Sequence, residues 1–591
     1  MSTCPRIRDR SSQAGAAAVI MAVFIAALMI PLGAIGVDIA RWYVEAERVQ
    51  AAADAAATAG VTHMPDDFEL ARDRAIEIAA DNGFRTGAGA TVTVAKGDKP
   101  TQLKVTVSAP VTNQFGQLFG VDTTTMSRTA VADFNGPAPM GSPCNTFGNE
   151  PAGSAALGPV ASQLKTPLHA TCSTNPQLWG SITGPETTKN QGAQFETRKC
   201  GGGEDGCSGS TNLDFDPKGF IYMVRVNAAA VGTPVRLQIY DPAYVDTGTS
   251  GCNAGPVGDI NTSDQYRYPM AITDARNRYD NTANSFCTGD GDNNGNRFGG
   301  EVPTITSFAL RRPVDTLNPF DGPAHDPARC TKQFPGYSHT TGSGVLSTAN
   351  LRTSVSPNYK IELARVFHQW VDLCTFVPDQ AGDWYLQVRN NVAVPSGSVL
   401  DATGAVAGNT RVTSQTGDDT SVKGNGTNSF SLRAISTAPA GAVSVASWER
   451  MRIYANANSA TTEFNLVRVV PAAANKTLVL SFFDVGEGSS SGSVTVLRPA
   501  DSNLPSSVAG CVGRGVKDGA LSGCQITGIT PSKYNGKLQE IQVPIPNTYD
   551  CQVSSQGGCW FRVRVSFGTG SVTDATTWTA RIVGEPIRLI E

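Results

Sequence analysis

The sequence predicts a mainly β protein. An N-terminal transmembrane α-helix leads into a helix–strand juxtamembrane region, and two tandem β-sandwich, jelly-roll-like domains follow. Three observations predict this: an uncharged apolar run at Ala14–Val37, thirteen cysteines of which twelve follow that run, and an internal repeat of alternating apolar and polar residues. Gly (61) and Pro (35) are frequent and only 17% of residues are charged, which suits turn-rich β structure better than long solvated helices. At 591 residues the chain is long enough for several domains of about 100–200 residues. A net charge of −4 gives no basic footprint for nucleic acid, and five histidines leave little material for a His-based site.

The N-terminus reads as a membrane anchor. Residues 14–37 carry no charge over 24 positions, and at 1.5 Å per residue they span about 36 Å, enough for a hydrocarbon core of about 30 Å with some tilt. Arg6, Arg8 and Arg10, opposed only by Asp9, place residues 1–13 in the cytoplasm by the positive-inside rule. Trp42 and Tyr43 suit the far interface. The run is longer than the apolar core of a signal peptide, and a helical pattern continues past it, so the segment is read as retained rather than cleaved. The chain is then a single-pass protein of the cell membrane with its bulk extracytoplasmic. The cysteines agree: Cys4 lies on the reducing side. Cys144, Cys172, Cys200, Cys207, Cys252, Cys287, Cys330, Cys374, Cys511, Cys524, Cys551 and Cys559 fall on the oxidising side as a disulfide set. The neighbours Cys200/Cys207, Cys511/Cys524 and Cys551/Cys559 could each close a short loop, although connectivity does not follow from sequence.

Residues 38–134 continue the pattern. A Gly15 start, a small-apolar span with Pro31, then Val37-Asp38, Tyr43, Val49-Gln50 and the run Ala53-Asp54-Ala55-Ala56-Ala57 stand in one stretch. A second helix is expected over 67–82, strands near 91–95 and 103–109, and then NQFGQLFGVDTTTMSRTAVADF to residue 134. In combination these features resemble the N-terminal region of the Flp/Tad pilus-assembly TadE/TadG-like proteins, over about a quarter of the chain. The resemblance implies a bacterial surface protein whose partners are the membrane and other pilus-assembly proteins. Pilin-like members often carry a Glu shortly after the processing Gly, whereas this chain has Ile20 five residues beyond Gly15. That implies a permanent TadG-like anchor rather than a polymerising pilin. No D-x-S-x-S metal-adhesion motif is present, so a von Willebrand A function does not carry over. The small residues of 51–59 have two readings: close approach of a partner helix, or simple helix propensity.

Beyond this, residues 135–215 are rich in Gly, Pro, Ser, Thr and Cys and read as an irregular linker or disulfide-tied subdomain. The repeat follows. Residues 221–241 align with 465–484, and from Val224/Val467 to Asp241/Asp484 the offset is 243 without a gap. Val235, Leu237 and Ile239 match Leu478, Leu480 and Phe482 in period-2 alternation, the mark of a half-buried strand. A looser match pairs 383–391 with 559–567, each followed by another strand at 429–435 or 577–583. Two sandwiches, at 216–437 and 440–591, are the simplest account.

Candidate chemistry is sparse. Residues 290–301 fit the twelve-residue calcium loop, with Asp290, Asp292 and Asn294 at positions 1, 3 and 5, Asn296 at 7 through its carbonyl, and Glu301 at 12. Their flanks are not amphipathic helices, so the loop is read as a lone structural Ca2+ staple or as an ion-free polar turn. GSSSG at 488–492 matches a nucleophile elbow only formally, because no helix follows it and no His occurs after His368. Trp370, Trp384, Trp448, Trp560 and Trp578 are candidates for stacking on sugars, against a core role. The favoured expectation is a non-enzymatic TadG-like anchor with an adhesive or scaffolding ectodomain. The alternatives are a membrane-anchored protein that binds surface glycans or host and biofilm components, and a secreted hydrolase. No catalytic residue is assigned.

Overall fold

The computed structural model describes residues 11–64, 68–97, 102–134, 138–141, 146–150, 176, 178–244, 288–290, 305–314, 319–335, 366–390, 406–407, 426–439, 441–457, 461–486, 491–553, 558–568, 572–583 and 587–589. The chain forms two units, one of residues 1–135 with 585–591 and the other of residues 136–584.

In the first unit, α1 runs unbroken over Ser11–Val61. Its early part is apolar and exposed, with Phe24 at 62%. Among the described residues no helix is long and apolar enough to cross a membrane; within α1 the side chains at 11–14, 28 and 30–32 lie outside the described residues. The later part packs. Val49, Ala52, Ala53, Ala56, Ala57 and Val61 recur every three to four residues and are buried at 0–1% exposure. They meet Ala71, Ala75 and Ala79 of α2 (Phe68–Asp81) and Leu103, Val105 and Val107 of the sheet. Each valine or leucine so buried contributes about 1.5–3 kcal/mol. The alanine run thus packs within its own unit. At Gly60 the approach leaves no room, since an added Cβ would lie 2.6 Å from the Ala71 carbonyl oxygen. The sheet holds β1 (Thr91–Lys96), β2 (Gln102–Thr112) and β3 (Thr123–Phe134), with the C-terminal strand Ile587–Leu589 beside β3. β2 and β3 form one long hairpin, in register from Gln102↔Asp133 to Thr112↔Thr123.

In the second unit, among the described residues, the named strands pair antiparallel. In chain order it contains β4 (Pro139–Met140), β5 (Thr146–Phe147), β6 (Leu178–Thr183), β7 (Cys207–Ser208), β8 (Thr211–Asn212), β9 (Phe220–Val226), β10 (Val235–Tyr240), β11 (Ile305–Arg311) and β12 (Thr331–Pro335). Then follow β13 (Trp370–Phe376), β14 (Gly382–Asn390), β15 (Val406–Ala407), β16 (Thr427–Ser436), β17 (Val443–Trp448), β18 (Arg450–Ala457), β19 (Thr461–Arg468) and β20 (Thr477–Phe483). The last are β21 (Gly492–Leu497), β22 (Val512–Gly515), β23 (Gly519–Ala520), β24 (Gln525–Ile529), β25 (Leu538–Pro544), β26 (Trp560–Ser566) and β27 (Val572–Val583).

The repeat is structural as well as sequential. β9, a short 3-10 turn and β10 correspond to β19, a 3-10 turn and β20. The looser matches hold too: β14 pairs with β9 as β26 pairs with β19, and β16 pairs with β10 as β27 pairs with β20. The residues expected to build two tandem sandwiches are not laid end to end, however. They share two continuous eleven-stranded sheets, β13-β10-β16-β6-β18-β27-β20-β25-β22-β23 (with β5 beside β16) and β15-β12-β11-β14-β9-β17-β4-β19-β26-β21-β24. One hydrophobic cluster collects residues from both sheets and both repeats, including Val224, Leu237, Leu466 and Leu480. Two features cause the difference. β4, β5 and β6 come from a stretch expected as a linker, and in the second sheet the leading strands are exchanged. β17, which opens the second repeat, pairs with β9 of the first, and β4, which precedes the first, pairs with β17 and β19. Part of the expected linker is also disulfide-tied, through Cys200–Cys207.

Candidate functional site

The first unit contains a latch built from the two stretches that carried the family resemblance. Asp38 lies on α1 immediately after the uncharged run and is 3% exposed. Its carboxylate accepts three consecutive backbone N–H groups, from Gln114 (2.7 Å), Phe115 (2.9 Å) and Gly116 (2.8 Å). These belong to the β2–β3 tip, which turns through a 3-10 helix at Gly116–Phe119 and closes at Gly120 in the left-handed conformation (φ 79°). One turn further along α1, Trp42 Nε1 donates to Asn113 Oδ1 at 2.8 Å. Asn113 is itself buried, and its Nδ2 donates to the Val121 carbonyl at 2.9 Å, which fixes the amide orientation and shapes the loop.

Burial pushes the Asp38 carboxyl up. The N–H groups of Gln114, Gly116 and Phe115, and then the Arg41 guanidinium, act the other way and prevail, so its pKa sits below the ordinary value. That direction favours the charged carboxylate, the form that accepts all three N–H groups. Its chemistry is to satisfy three donors that a hairpin tip otherwise leaves to water. The sequence displayed both partners, but the 76-residue separation between Asp38 and Gln114 hid their contact.

Of the candidate calcium ligands, only Asp290 is among the described residues. It is 1% exposed, and its Oδ1 accepts the Ser429 N–H at 2.9 Å. Asp292, Asn294, Asn296 and Glu301 lie outside the described residues, as do residues 488–490 of the GSSSG segment. Cys200, Glu204 and Cys207 also bring ligand-type atoms together. There the two sulfurs form a disulfide, and the Glu204 carboxylate accepts the N–H groups of Gly201 and Gly202, so the cluster is a tied loop.

The five candidate stacking tryptophans are core residues: Trp370, Trp384, Trp448, Trp560 and Trp578 are 0–7% exposed. Of the two readings this favours the core over stacking on sugars, because a ring stacks on a sugar only where it is presented to solvent. Trp370 stacks instead under Arg433, whose guanidinium carbon lies 4.1 Å from the ring centre.

Sequence reasoning missed the buried carboxylates that end each repeat. Asp241 and Asp484 both sit at positive φ (51° and 66°) with 0% exposure. Asp241 accepts the His368 N–H at 3.0 Å and the Thr288 hydroxyl at 2.8 Å. That hydroxyl donates to Asp241, with His368 Nε2 3.5 Å away, so the trio caps a strand end rather than forming a nucleophile relay. Asp484 accepts the N–H groups of Gly192 and Gly536, each at 2.6 Å. Burial, and then the nearby Asp574 carboxylate, push its pKa up against those two N–H groups and Arg452. The only signal in the sequence was the aromatic-Asp ending shared by the two repeats.

Residues 15–63 match the model of a family described as putative Flp pilus-assembly TadE/G-like. The match includes Asp38 and Trp42, the α1 half of the latch. No curated protein and no solved structure matches the chain.

Proposed function

We propose that the chain is a membrane-anchored, TadG-like accessory protein of a Flp/Tad pilus-assembly system, whose extracytoplasmic β region acts as a scaffold or adhesive surface. The observation that carries this reading is the Asp38 latch. It joins the family-matched helix to the NQFGQLFG tip, so both family-like stretches serve one structure at the end of the apolar run. The exposed apolar side chains of the early part of α1 support a lipid environment, because a water-facing helix rarely presents so many. The arginines before the run and the disulfides after it support the orientation. Ile20, in place of a pilin-like Glu, supports a stable anchor over polymerisation into the fibre.

The mechanism is mechanical. α1 holds the protein in the membrane, the latch fixes the first unit on the helix as it emerges, and the continuous β sheets present a stiff surface to partners. The test is genetic. Deletion in the native host should reduce pilus formation and surface attachment, wild-type complementation should restore both, and Asp38→Ala should restore neither despite reaching the membrane fraction. Pili and attachment unchanged by the deletion would defeat the reading.

A further inference from the structure

In the first unit the exposed large hydrophobic residues have a restricted distribution. Among the described residues they lie on α1 between Val19 and Val44, and at one other place, the β2–β3 tip. There Phe119 is 70% exposed and Val121 is 50% exposed. Phe119 and Val121 stand together on a loop held by hydrogen bonds, and their place at the end of the apolar run sets them apart from singly scattered surface residues.

The level of the tip along α1 is fixed. From Asp38 to Val61 the helix rises about 35 Å, and β2, packed along it, is also about 35 Å long. The hairpin therefore reaches from the far end of α1 back to Asp38, the first residue after the uncharged run. There the tip is held by three hydrogen bonds to Asp38 and one from Trp42. Residues 113–121 carry no charge, while Asp122 and Arg41 stand exposed beside them. Apolar tip, charged collar and nearby Tyr43 form the residue pattern of a headgroup boundary. The loop is preformed: Gly116 packs where a Cβ would come within 2.9 Å of the Asn113 Cβ, so little ordering cost remains on insertion.

We propose that the β2–β3 tip is an interfacial foot, which seats Phe119 and Val121 in the extracytoplasmic leaflet of the bilayer from which α1 emerges. This rests on reading residues 14–37 as the membrane span. The foot sets the height and tilt of the first unit above the lipid, which a single flexible crossing would not do.

The test is site-specific photo-crosslinking of the full-length protein in its native membranes. Benzoylphenylalanine is placed at position 119 and, in separate variants, at 121, 24 and 104, and adducts are read by intact-protein mass. Position 24 lies in the apolar part of α1, and Lys104 lies at the opposite end of the hairpin. Positions 119 and 24 should gain the mass of one phospholipid at least about tenfold more often than position 104; position 121 gives the same readout if the 119 variant does not accumulate. Lipid adducts at 24 with none at 119 or 121 would overturn the foot and leave the anchor standing. Absence at 24 as well would overturn the anchor reading with it. A protein adduct at 119 in place of lipid would overturn the foot in favour of a partner.

Discussion

Gly192→Ala should be among the most damaging single substitutions in the second unit. Gly192 lies in the segment after β6, at φ +70°, lodged against β27. A Cβ there would stand 2.1 Å from the Ala575 carbonyl oxygen and 2.6 Å from its carbon, both backbone atoms of a central strand that cannot swing aside. The left-handed conformation alone costs an alanine about 1–2 kcal/mol. To escape the clash the segment must lift. That strains the Gly192 N–H bond to Asp484 and the bonds its carbonyl accepts from Thr577 (2.6 Å) and Arg452 (3.2 Å). A buried hydrogen bond to a charged group is worth about 1.5–3 kcal/mol, so a total of about 3–5 kcal/mol is expected. Gly209→Ala separates the two causes: its φ is +59°, but no atom lies within 4 Å of the added Cβ, so only about 1 kcal/mol is expected. Six of the seven tryptophans belong to the second unit, so tryptophan fluorescence during denaturant unfolding of the detergent-solubilised protein reports on it. A Gly192→Ala midpoint indistinguishable from that of Gly209→Ala would refute the packing argument.

Three further outcomes follow from the same structure. Asp484 has a folded pKa raised to about 7, so its contribution to stability is complete below the unfolded carboxylate range and is lost as pH rises through about 7; Glu196 and Glu449, also raised by burial, act in the same direction. Unfolding free energy should therefore fall between pH 5 and pH 8, and Asp484→Asn should flatten that slope; an unchanged slope would remove Asp484 as its source. Ala56→Leu should overpack the α1–α2–sheet core and cost about 1–3 kcal/mol, measured as faster hydrogen exchange in α2, whereas a variant with native protection would mean the helices are not closely packed. Replacing Cys330 and Cys374 together by alanine should lower the second unit's stability by about 2–4 kcal/mol. Because reductant also breaks the other bonds of that unit, a reductant-induced midpoint shift larger in wild type than in the double variant would assign the difference to that bond, whereas equal shifts would refute it.

The local pattern of this chain was legible where neighbours in sequence make the structure. The alternation at Val235–Ile239 and Leu478–Phe482 marked strands, and three short-loop cysteine pairs are bonded as their spacing allowed. The pairing of Cys330 with Cys374 was not legible, because its ends meet only after the sheets form. β4 and β5 span two residues each, too short for any periodicity to register. The exchange of β17 and β4 escaped for a deeper reason: alternation reports which face of a strand is buried, not which strand lies beside it. Ile587–Leu589 shows the same limit, since it follows the last repeat in sequence yet pairs with β3. Asp38 was conspicuous by position, but its role depends on donors 76 to 78 residues away.

That exchange changes what the repeat can do mechanically. Two sandwiches joined by a linker would pivot, and load would pass through a single strand of chain. Here the repeats meet edge to edge in both sheets, β6 against β18 in one and β9-β17-β4-β19 in the other. Separating them would break two ladders at once and expose Val443 and Val445, which sit in the common core. The outer ends are closed differently. Cys330, just before β12, is bonded to Cys374 of β13, and Cys511, just before β22, is bonded to Cys524, just before β24. Each bond ties one sheet to the other near the terminal strands among the described residues, where no further described ladder protects the edge. Hydrogen-bonded continuity in the middle and covalent ties at both ends leave few places for the sandwich to open by fraying. The membrane-anchored scaffold proposed above would draw on that combination, which two independent domains with the same strands and the same cysteines would lack.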